Sequence, residues 1–213
     1  MNLFRKLIEH WGWFWIIFFC YFFYLMLNIT QRYIPFHSDI AFLQIKQKEV
    51  HSIPGYLTFF YLHVYSSIFA LLAGFTQFNH TIQEKYPKIH KRMGILYVYV
   101  VLFLSAPSGI FIGFYANGGL TAKISFIILG ILWFAFTIKG ILLIRTKNIN
   151  LHRNFMLRSF ALAVSAITLR LWKVVLIFAF EPNPMDVYKI IAWLGWIPNL
   201  LLIEWYIYKK NIK

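Results

Sequence analysis

Residues 94–144 decide the fold, and they read GILYVYVVLFLSAPSGIFIGFYA (94–116), NGGLTA (117–122) and KISFIILGILWFAFTIKGILLI (123–144). The two long runs carry almost no charge. Each has the length, about 20 residues at 1.5 Å per residue, that lets a helix cross a bilayer core of about 30 Å. The short glycine-containing segment between them leaves room only for a tight turn. We therefore expect two membrane-spanning helices in an antiparallel hairpin.

The rest of the chain repeats this pattern before and after the hairpin. Hydrophobic residues make up 60% of the 213 residues and charged residues only 13%, too few to cover the surface of a soluble domain. We predict an all-α, six-helix transmembrane bundle that forms a single integral membrane domain over residues 1–213, located in the inner (cytoplasmic) membrane of the cell. The predicted spans are 11–30, 56–77, 94–116, 123–144, 156–180 and 188–208.

The chain is strongly basic, with a formal net charge of +14 at pH 7. Its basic residues lie in short clusters between apolar runs, as in the cytoplasmic loops of membrane proteins, so we exclude nucleic acid as a partner. The lipid bilayer, through its anionic headgroups, is the partner that these clusters favour. The single cysteine, Cys20, excludes an intramolecular disulfide and a multi-cysteine metal site.

The distribution of basic residues between the spans predicts the orientation of the bundle. If the N-terminus is inside, twelve of them lie on the inner side and five on the outer side. We therefore expect both termini in the cytoplasm and the longest connection, residues 31–55, outside. The inner set is Arg5, Lys6, Lys85, Lys88, Lys91, Arg92, Arg145, Lys147, Arg153, Lys209, Lys210 and Lys213, and the outer set is Arg32, Lys46, Lys48, Lys123 and Lys189.

One histidine and one arginine interrupt the spans at similar depth. His63 lies roughly 10 Å from the outer end of the second span. Arg170 lies roughly 21 Å from the inner end of the fifth, which brings it close to the depth of His63. Ionisable side chains at such depth usually face the bundle interior or a cavity, which makes both residues candidates for a binding site. Arg170 would suit a haem propionate or a lipid or quinone headgroup. The alternatives are a histidine hydrogen-bonded to a neighbouring helix, and a structural arginine paired with an outer acid: Asp39, Glu49, Glu181 or Asp186.

Two pairs of residues predict contacts between spans. Lys139 and Glu204 lie at similar depth near the inner ends of the fourth and sixth spans, so we expect an ion pair between them. Gly109 and Gly113 are separated by one helical turn in the third span, a spacing that favours close packing against another helix.

Helix-breaking residues occur in two of the predicted spans. Pro107 predicts a kink in the third, because proline lacks the N–H that the helix needs. Gly195 and Pro198 together predict a kink in the sixth.

Two further histidines precede spans in similar surroundings. His90 lies in KIHKR (88–92) before the third span, and His152 lies in LHR (151–153) before the fifth, so both are expected at similar depth on the inner face. Imidazole is the usual axial ligand of b-type haem in helical membrane bundles, and two facing helices can hold the iron from both sides. The neighbouring cations would neutralise the propionates. The alternative is that both histidines are interfacial residues in basic loops.

A set of motifs occurs in order between residues 62 and 171: LH (62–63), ALLAGFTQF (70–78), IHKRMGILYV (89–98), GGLTAK (118–123), HRNFMLRSFAL (152–162) and TLRL (168–171). This set resembles the bacterial family of integral membrane proteins catalogued as domain of unknown function 2306. The resemblance covers about half of the chain, within a family-like core at about 56–180. It implies membership of the family and no particular reaction.

A more distant similarity is to the b-type haem cytochromes and ferric reductases of membranes. Their helices also carry a histidine followed by a basic or small residue and a glycine, as in HKRMG (90–94). The similarity implies that His63, His90 and His152 are ligands of haem iron. Two haems would need four histidines in the bundle, and His37 or His51 of the outer loop would have to be the fourth. One haem b, or none, therefore remains open beside two.

Three functions are compatible with these features. The first is a haem b protein that passes electrons across the membrane between a quinol or cytoplasmic donor and an outer acceptor. The second is a transporter or small-molecule binding bundle with a cavity lined by His63 and Arg170. The third is an accessory subunit of a larger membrane complex, without catalysis. The sequence contains no paired carboxylates, phosphate-binding loop or nucleophile–base set, so it does not decide whether the protein is an enzyme.

Overall fold

The computed structural model describes residue 17 and residues 20–78, 80–181 and 183–212, and these contain helices and no strand. Residues 20–31 form helix α1. The later elements, in chain order, are a 3₁₀ turn (Ala41–Lys46), α2 (Gln47–Ser52), α3 (Tyr56–Gln77), α4 (His80–Lys85), α5 (Pro87–Tyr99), a π-helical segment (Val100–Ser105), α6 (Ala106–Gly113), α7 (Gly119–Arg145), α8 (Ile149–Ala163), α9 (Ser165–Phe180), α10 (Pro184–Leu194) and α11 (Ile197–Ile212).

Five helical segments within the described residues are long and apolar enough to cross a membrane. They are Tyr56–Gln77, Pro87–Gly113, Gly119–Arg145, Ile149–Phe180 and Met185–Lys210. They correspond to the second to sixth predicted spans. Eight of the twenty residues of the first predicted span, 11–30, lie outside the described residues, so the count of six stays a prediction.

The third and fifth spans begin seven residues earlier than predicted, at Pro87 and Ile149 instead of residues 94 and 156. Proline suits the first helical position because its missing N–H is not needed there. The fifth span is capped by Asn148, whose side chain accepts a hydrogen bond from the Leu151 amide at 3.2 Å. Basic side chains in the first two turns reduced the apolar signal but did not prevent helix formation. His90 and His152 are therefore helical residues and not loop residues.

The helices alternate in direction, so the bundle has two distinct ends. We call the end with residues 32–55, 114–118, 181 and 183 the loop end, and the end with residues 78, 80–86, 146–148 and 208–212 the basic end. At the loop end, Gly55 and Gly118 immediately precede α3 and α7 with φ of 78° and 94°, a left-handed conformation that favours glycine. The predicted hairpin of the third and fourth spans is confirmed, because α6 packs against α7 and the short connection between them lies at the loop end.

The core lies where α3, α5, α7 and α8 meet. α7 packs along α8, and α3 packs against α5 and the π-helical segment. Buried side chains at this junction include Leu71, Tyr97, Val101 and Leu162. Large apolar side chains remain exposed around the outside, for example Phe178, which is 91% exposed. In a protein whose helices are as apolar as these, such an exterior is the surface that contacts lipid.

A closed ring of hydrogen bonds ties three helices together inside this core. Thr137 donates to the carbonyl of Trp133 at 2.7 Å, so the Ser159 hydroxyl must donate to Thr137 at 2.6 Å. Tyr97 must then donate to Ser159 at 2.7 Å, while its oxygen accepts from the Trp133 indole at 3.1 Å. Every donor in the ring has a partner, and such a satisfied network fixes α5, α7 and α8 relative to one another.

The expected breaks in the helices are present. The sixth span is interrupted between Leu194 and Ile197, at the place where Gly195 and Pro198 predict a kink. The third span contains the π-helical segment directly before Pro107, where the Ala106 amide bonds the carbonyl of Val101. The fifth span is also interrupted, at Val164 between α8 and α9.

The predicted ion pair between Lys139 and Glu204 is wrong. Glu204 instead accepts two hydrogen bonds from Arg158, at 2.5 and 2.8 Å, because α11 packs against α8. The ammonium of Lys139 lies 4.9 Å from the centre of the Phe155 ring. Depth alone predicted this pair, and depth does not say which helices are neighbours.

Candidate functional site

A cavity of about 400 Å³ lies inside the loop-end half of the bundle. Its volume is within the range of about 300–1,000 Å³ that is usual for small-molecule sites. Residues from α1, α3, the π-helical segment, α6, α7, α8, α9 and α10 and from the loop end line it. The lining residues that carry polar side chains are Thr30, Tyr33, Lys46, Tyr56, His63, Ser67, Ser105, Tyr115, Asn117, Trp133, Ser165, Arg170, Lys173 and Tyr188.

His63 lies on the wall of the cavity in a defined orientation. Its Nδ1 is 2.9 Å from the carbonyl oxygen of Ser105, at the end of the π-helical segment. A carbonyl oxygen only accepts, so Nδ1 carries the hydrogen and Nε2 is left for another partner. π-Helical turns often mark functional sites, because they free backbone groups for other contacts.

Gly109 provides the space that the imidazole occupies. A Cβ at this position would lie 2.9 Å from Cε1 of His63 and 3.0 Å from its Nδ1. The close helix contact predicted for Gly109 is therefore a contact with a side chain. Gly113 does lie close to α7, where a Cβ would be 3.4 Å from Cβ of Phe126.

Replacing Gly109 by alanine should displace His63 from the Ser105 carbonyl, because the added methyl group overlaps the ring. The His63 resonance can be followed by NMR of protein labelled on its imidazole nitrogens. In the variant we expect this resonance to lose the signature of a hydrogen-bonded Nδ1. Gly113→Ala is the matched control, since its Cβ meets only ordinary contacts, and it should leave the resonance unchanged. An unchanged resonance in Gly109→Ala would contradict this geometry.

Arg170 lies on the same cavity wall as His63, as their similar depth predicted. The two side chains are close enough to interact electrostatically, and Arg170 also interacts with Tyr33. Its Nη1 donates to the carbonyl of Ala166, one turn back on α9. Among the described residues no acidic side chain pairs with it, so the alternative of a structural arginine paired with an outer acid is not seen there. A guanidinium in this setting favours an anion.

A hydroxyl group on the cavity wall also lacks a partner. The Oγ of Ser67 is buried and forms no hydrogen bond within the described part of the chain. Ser67 is one helical turn from His63, so both are on the same face of α3. Its neighbour Ser66 is different, because its hydroxyl bonds that of Ser105 at 2.8 Å. Ser67 has no distinguishing pattern in the sequence, since serine in a helix is common and only the cavity sets it apart.

Residues 32–55, which we call the cap, form the longest segment of the loop end and are held to α3 by tyrosines. Tyr61 donates to the His37 carbonyl at 2.8 Å and accepts from the His37 amide at 3.0 Å. Tyr65 donates to the carbonyl of Tyr33 at 2.7 Å. Burial, only partly offset by a hydrogen bond from the Phe42 amide, raises the pKa of Tyr33, whose ring is on the cavity.

Lys46 of the cap lies at the loop end of the cavity. Its side chain is only 2% exposed, and its ammonium donates to Glu49 at 2.7 Å and to the carbonyl of Tyr115, which follows α6. Lys46 therefore links the cap to the bundle. Partial burial acts to raise the pKa of Glu49, but the hydrogen bond and charge of Lys46 outweigh burial and lower it below the usual 4.5.

The link through Lys46 should depend on pH in a defined direction. A carboxylate whose pKa is lowered by folding contributes its full stabilisation at pH values above its ordinary pKa of 4.5. This stabilisation is lost as the pH falls below 4.5 and through the lower pKa of the folded protein. We expect Glu49→Gln to speed hydrogen exchange in the cap at neutral pH. At strongly acidic pH the variant and the wild type, compared at the same pH, should exchange alike. Equal exchange at neutral pH would contradict this role for Glu49.

His90 and His152 lie at the basic end, away from the cavity. His90 is 19 residues before Gly109, which is roughly 28 Å along the helix, and neither histidine lines the cavity. They are close enough to each other to interact electrostatically. His152 Nδ1 is 2.7 Å from the carbonyl of Gly140, while His90 Nδ1 is buried and has no partner in the described part. The structure thus brings His63 and Arg170 together and separates them from His90 and His152.

The helices and the cavity between them define a multi-pass helical membrane protein. The profile of a family described as "predicted membrane protein (DUF2306)" matches residues 60–207, which is more than half of the chain. The protein therefore belongs to this family, and the match extends the predicted resemblance beyond residue 171. No curated protein and no solved structure matches the chain. The similarity to b-type haem cytochromes has no support from these comparisons and stays a prediction.

Proposed function

We propose that the protein binds a small, partly apolar molecule in the cavity lined by His63 and Arg170, and that it works as a membrane receptor or transporter for that molecule. The main support is that Arg170 and Ser67 line one cavity. Among the described residues, Arg170 has no acidic partner and the hydroxyl of Ser67 has no hydrogen-bond partner. Unpaired polar groups inside a membrane protein are costly, and a ligand that pairs with both would remove that cost.

Thiol labelling tests whether small molecules reach the cavity. Cys20 is the one cysteine in the sequence, so Cys20→Ser gives a background without thiols. In that background, Ser67→Cys places a thiol on the cavity wall with little change in volume. Ser125→Cys is the matched control, because Ser125 is also buried but donates to the Ala192 carbonyl at 2.7 Å and is outside the cavity lining.

We expect a small polar thiol reagent to label Ser67→Cys in lipid vesicles much faster than Ser125→Cys. The proposal is overturned if the two cysteines react equally slowly. A membrane-impermeant reagent added to one side at a time also tests the proposed orientation. Labelling from the outside only would support both termini in the cytoplasm and a cavity that opens outward.

Haem b is the second candidate, favoured by the orientation of His63. A histidine that ligates a metal typically donates its other ring N–H to a carbonyl, as Nδ1 of His63 does. His63 would be the ligand and Arg170 would hold a propionate, while the bound haem would supply one-electron chemistry. The fit is partial, because His90 and His152 do not reach this cavity. Within the described residues no group of three or more His, Cys, Asp or Glu side chains could hold a metal ion.

An absorption spectrum separates the two candidates. The protein is expressed with ample haem, purified, and measured before and after dithionite reduction. A Soret band that is lost in His63→Ala would support the haem candidate. A spectrum with no Soret band would overturn it and would leave the small-molecule site unaffected.

A further inference from the structure

The charges on the cavity wall point to the kind of ligand. The lining contains the cations Lys46, Arg170 and Lys173, and no aspartate or glutamate. Lys46 is compensated by Glu49, outside the cavity. Lys173 lies 5.4 Å from the centre of the Tyr188 ring, and its charge, like that of Arg170, is not balanced by a described carboxylate. The cavity therefore carries excess positive charge.

The cations of the cavity lie nearer the loop end than its deepest apolar residues. Arg170, Lys173 and Tyr188 come from the loop-end halves of their spans. The wall further from the loop end than Arg170 is mainly apolar. It contains Leu71, Ala163 and Leu162, beside Trp133 and Ser165. A ligand that matches both parts has an acidic head and a hydrocarbon body, because hydrocarbon is favoured against the deep wall and charge only near the cations.

We infer, building on the proposed small-molecule site, that the ligand is a single-chain amphipathic acid. Its head contacts Arg170, on the wall that also carries Ser67, and its chain points toward the deeper apolar wall. Arg170 suits this role because one nitrogen bonds Ala166 and the rest of its fork can bind two oxygens of one acidic group. A carboxylate and a phosphate monoester share this chemistry.

Protection of Ser67→Cys from thiol labelling in lipid vesicles tests this inference. The probes have one chain length and different heads: dodecanoate, dodecyl phosphate, dodecanol and dodecyltrimethylammonium. Decylubiquinone is the neutral quinone probe. We expect at least one acidic probe to protect at roughly a tenfold lower concentration than dodecanol, since charge-assisted hydrogen bonds are about twice as strong as neutral ones.

The outcomes separate the inference from the proposed function. Protection by dodecanoate alone identifies a carboxylic acid, and protection by dodecyl phosphate alone identifies a phosphate ester. If the thiol reacts but dodecanol, the quinone or the cationic probe protects as well as the acids, the inference is wrong and the site remains. Protection of Ser125→Cys by the same probes would show a general effect on the bilayer and would also overturn the inference. Failure of Ser67→Cys to react at all would instead overturn the proposed function.

Discussion

Replacing Arg170 by methionine should weaken binding of the protecting acid by roughly thirty-fold or more. Truncating one partner of a buried, hydrogen-bonded charge pair costs about 2–5 kcal/mol, and every 1.4 kcal/mol is about a factor of ten in affinity. The measurement is the concentration of acid that protects Ser67→Cys by half. Arg170→Lys keeps the charge but loses the two-pronged geometry, so its affinity should be intermediate.

Two controls distinguish lost binding from lost folding in this experiment. Arg145→Met removes an exposed cation at the basic end and should leave affinity unchanged. In the absence of ligand, Arg170→Met should unfold at the same temperature as the wild type or a higher one, because an apolar side chain replaces an unpaired charge. Wild-type affinity in Arg170→Met would refute the assignment of Arg170 as the head-binding residue.

The ring of hydrogen bonds around Ser159 should give the largest effect on stability. Ser159→Ala removes the acceptor of the Tyr97 hydroxyl, and an unsatisfied buried donor costs about 1–3 kcal/mol. The free energy of unfolding in detergent should therefore fall by about that amount, more than the roughly 0.6 kcal/mol that is average for one polar contact between membrane helices. Thr146→Ala, an exposed hydroxyl at the basic end of α7, is the matched control and should have little effect.

A double-mutant cycle shows whether the loss belongs to the ring. Tyr97→Phe removes the donor that Ser159→Ala leaves unpaired. The double variant should therefore lose less stability than the sum of the two single variants. Strict additivity would mean that the two hydroxyls do not act together, in contradiction to the structure.

The sequence predicted the second to sixth spans well, because apolar runs of about 20 residues are typical of transmembrane helices. His63 and Arg170, for which helical rise predicted similar depth, line the same cavity. The sequence did not predict which helices are neighbours, and for that reason the pairing of Lys139 with Glu204 was wrong. The roles of Ser67 and Lys46 were missed for the same reason, because each depends on contacts that sequence spacing does not contain.

The interruptions of the fifth and sixth spans lie beside each other, and polar side chains form hydrogen bonds between them. Thr168 donates to the carbonyl of Gly195, and the amide of Asn199 donates to Gly195 and to Ala161, each at 3.2 Å. The helices between the two breaks, α9 and α10, form one hairpin that carries Arg170, so its connections to the rest of the chain both lie at these joints. This hairpin forms part of the cavity wall, and its backbone joins the rest of the bundle at the two breaks. The contacts of α10 with α7, among them the hydrogen bond from Ser125 to the Ala192 carbonyl at 2.7 Å, hold the hairpin in place, so a change in its tilt would require these contacts to break.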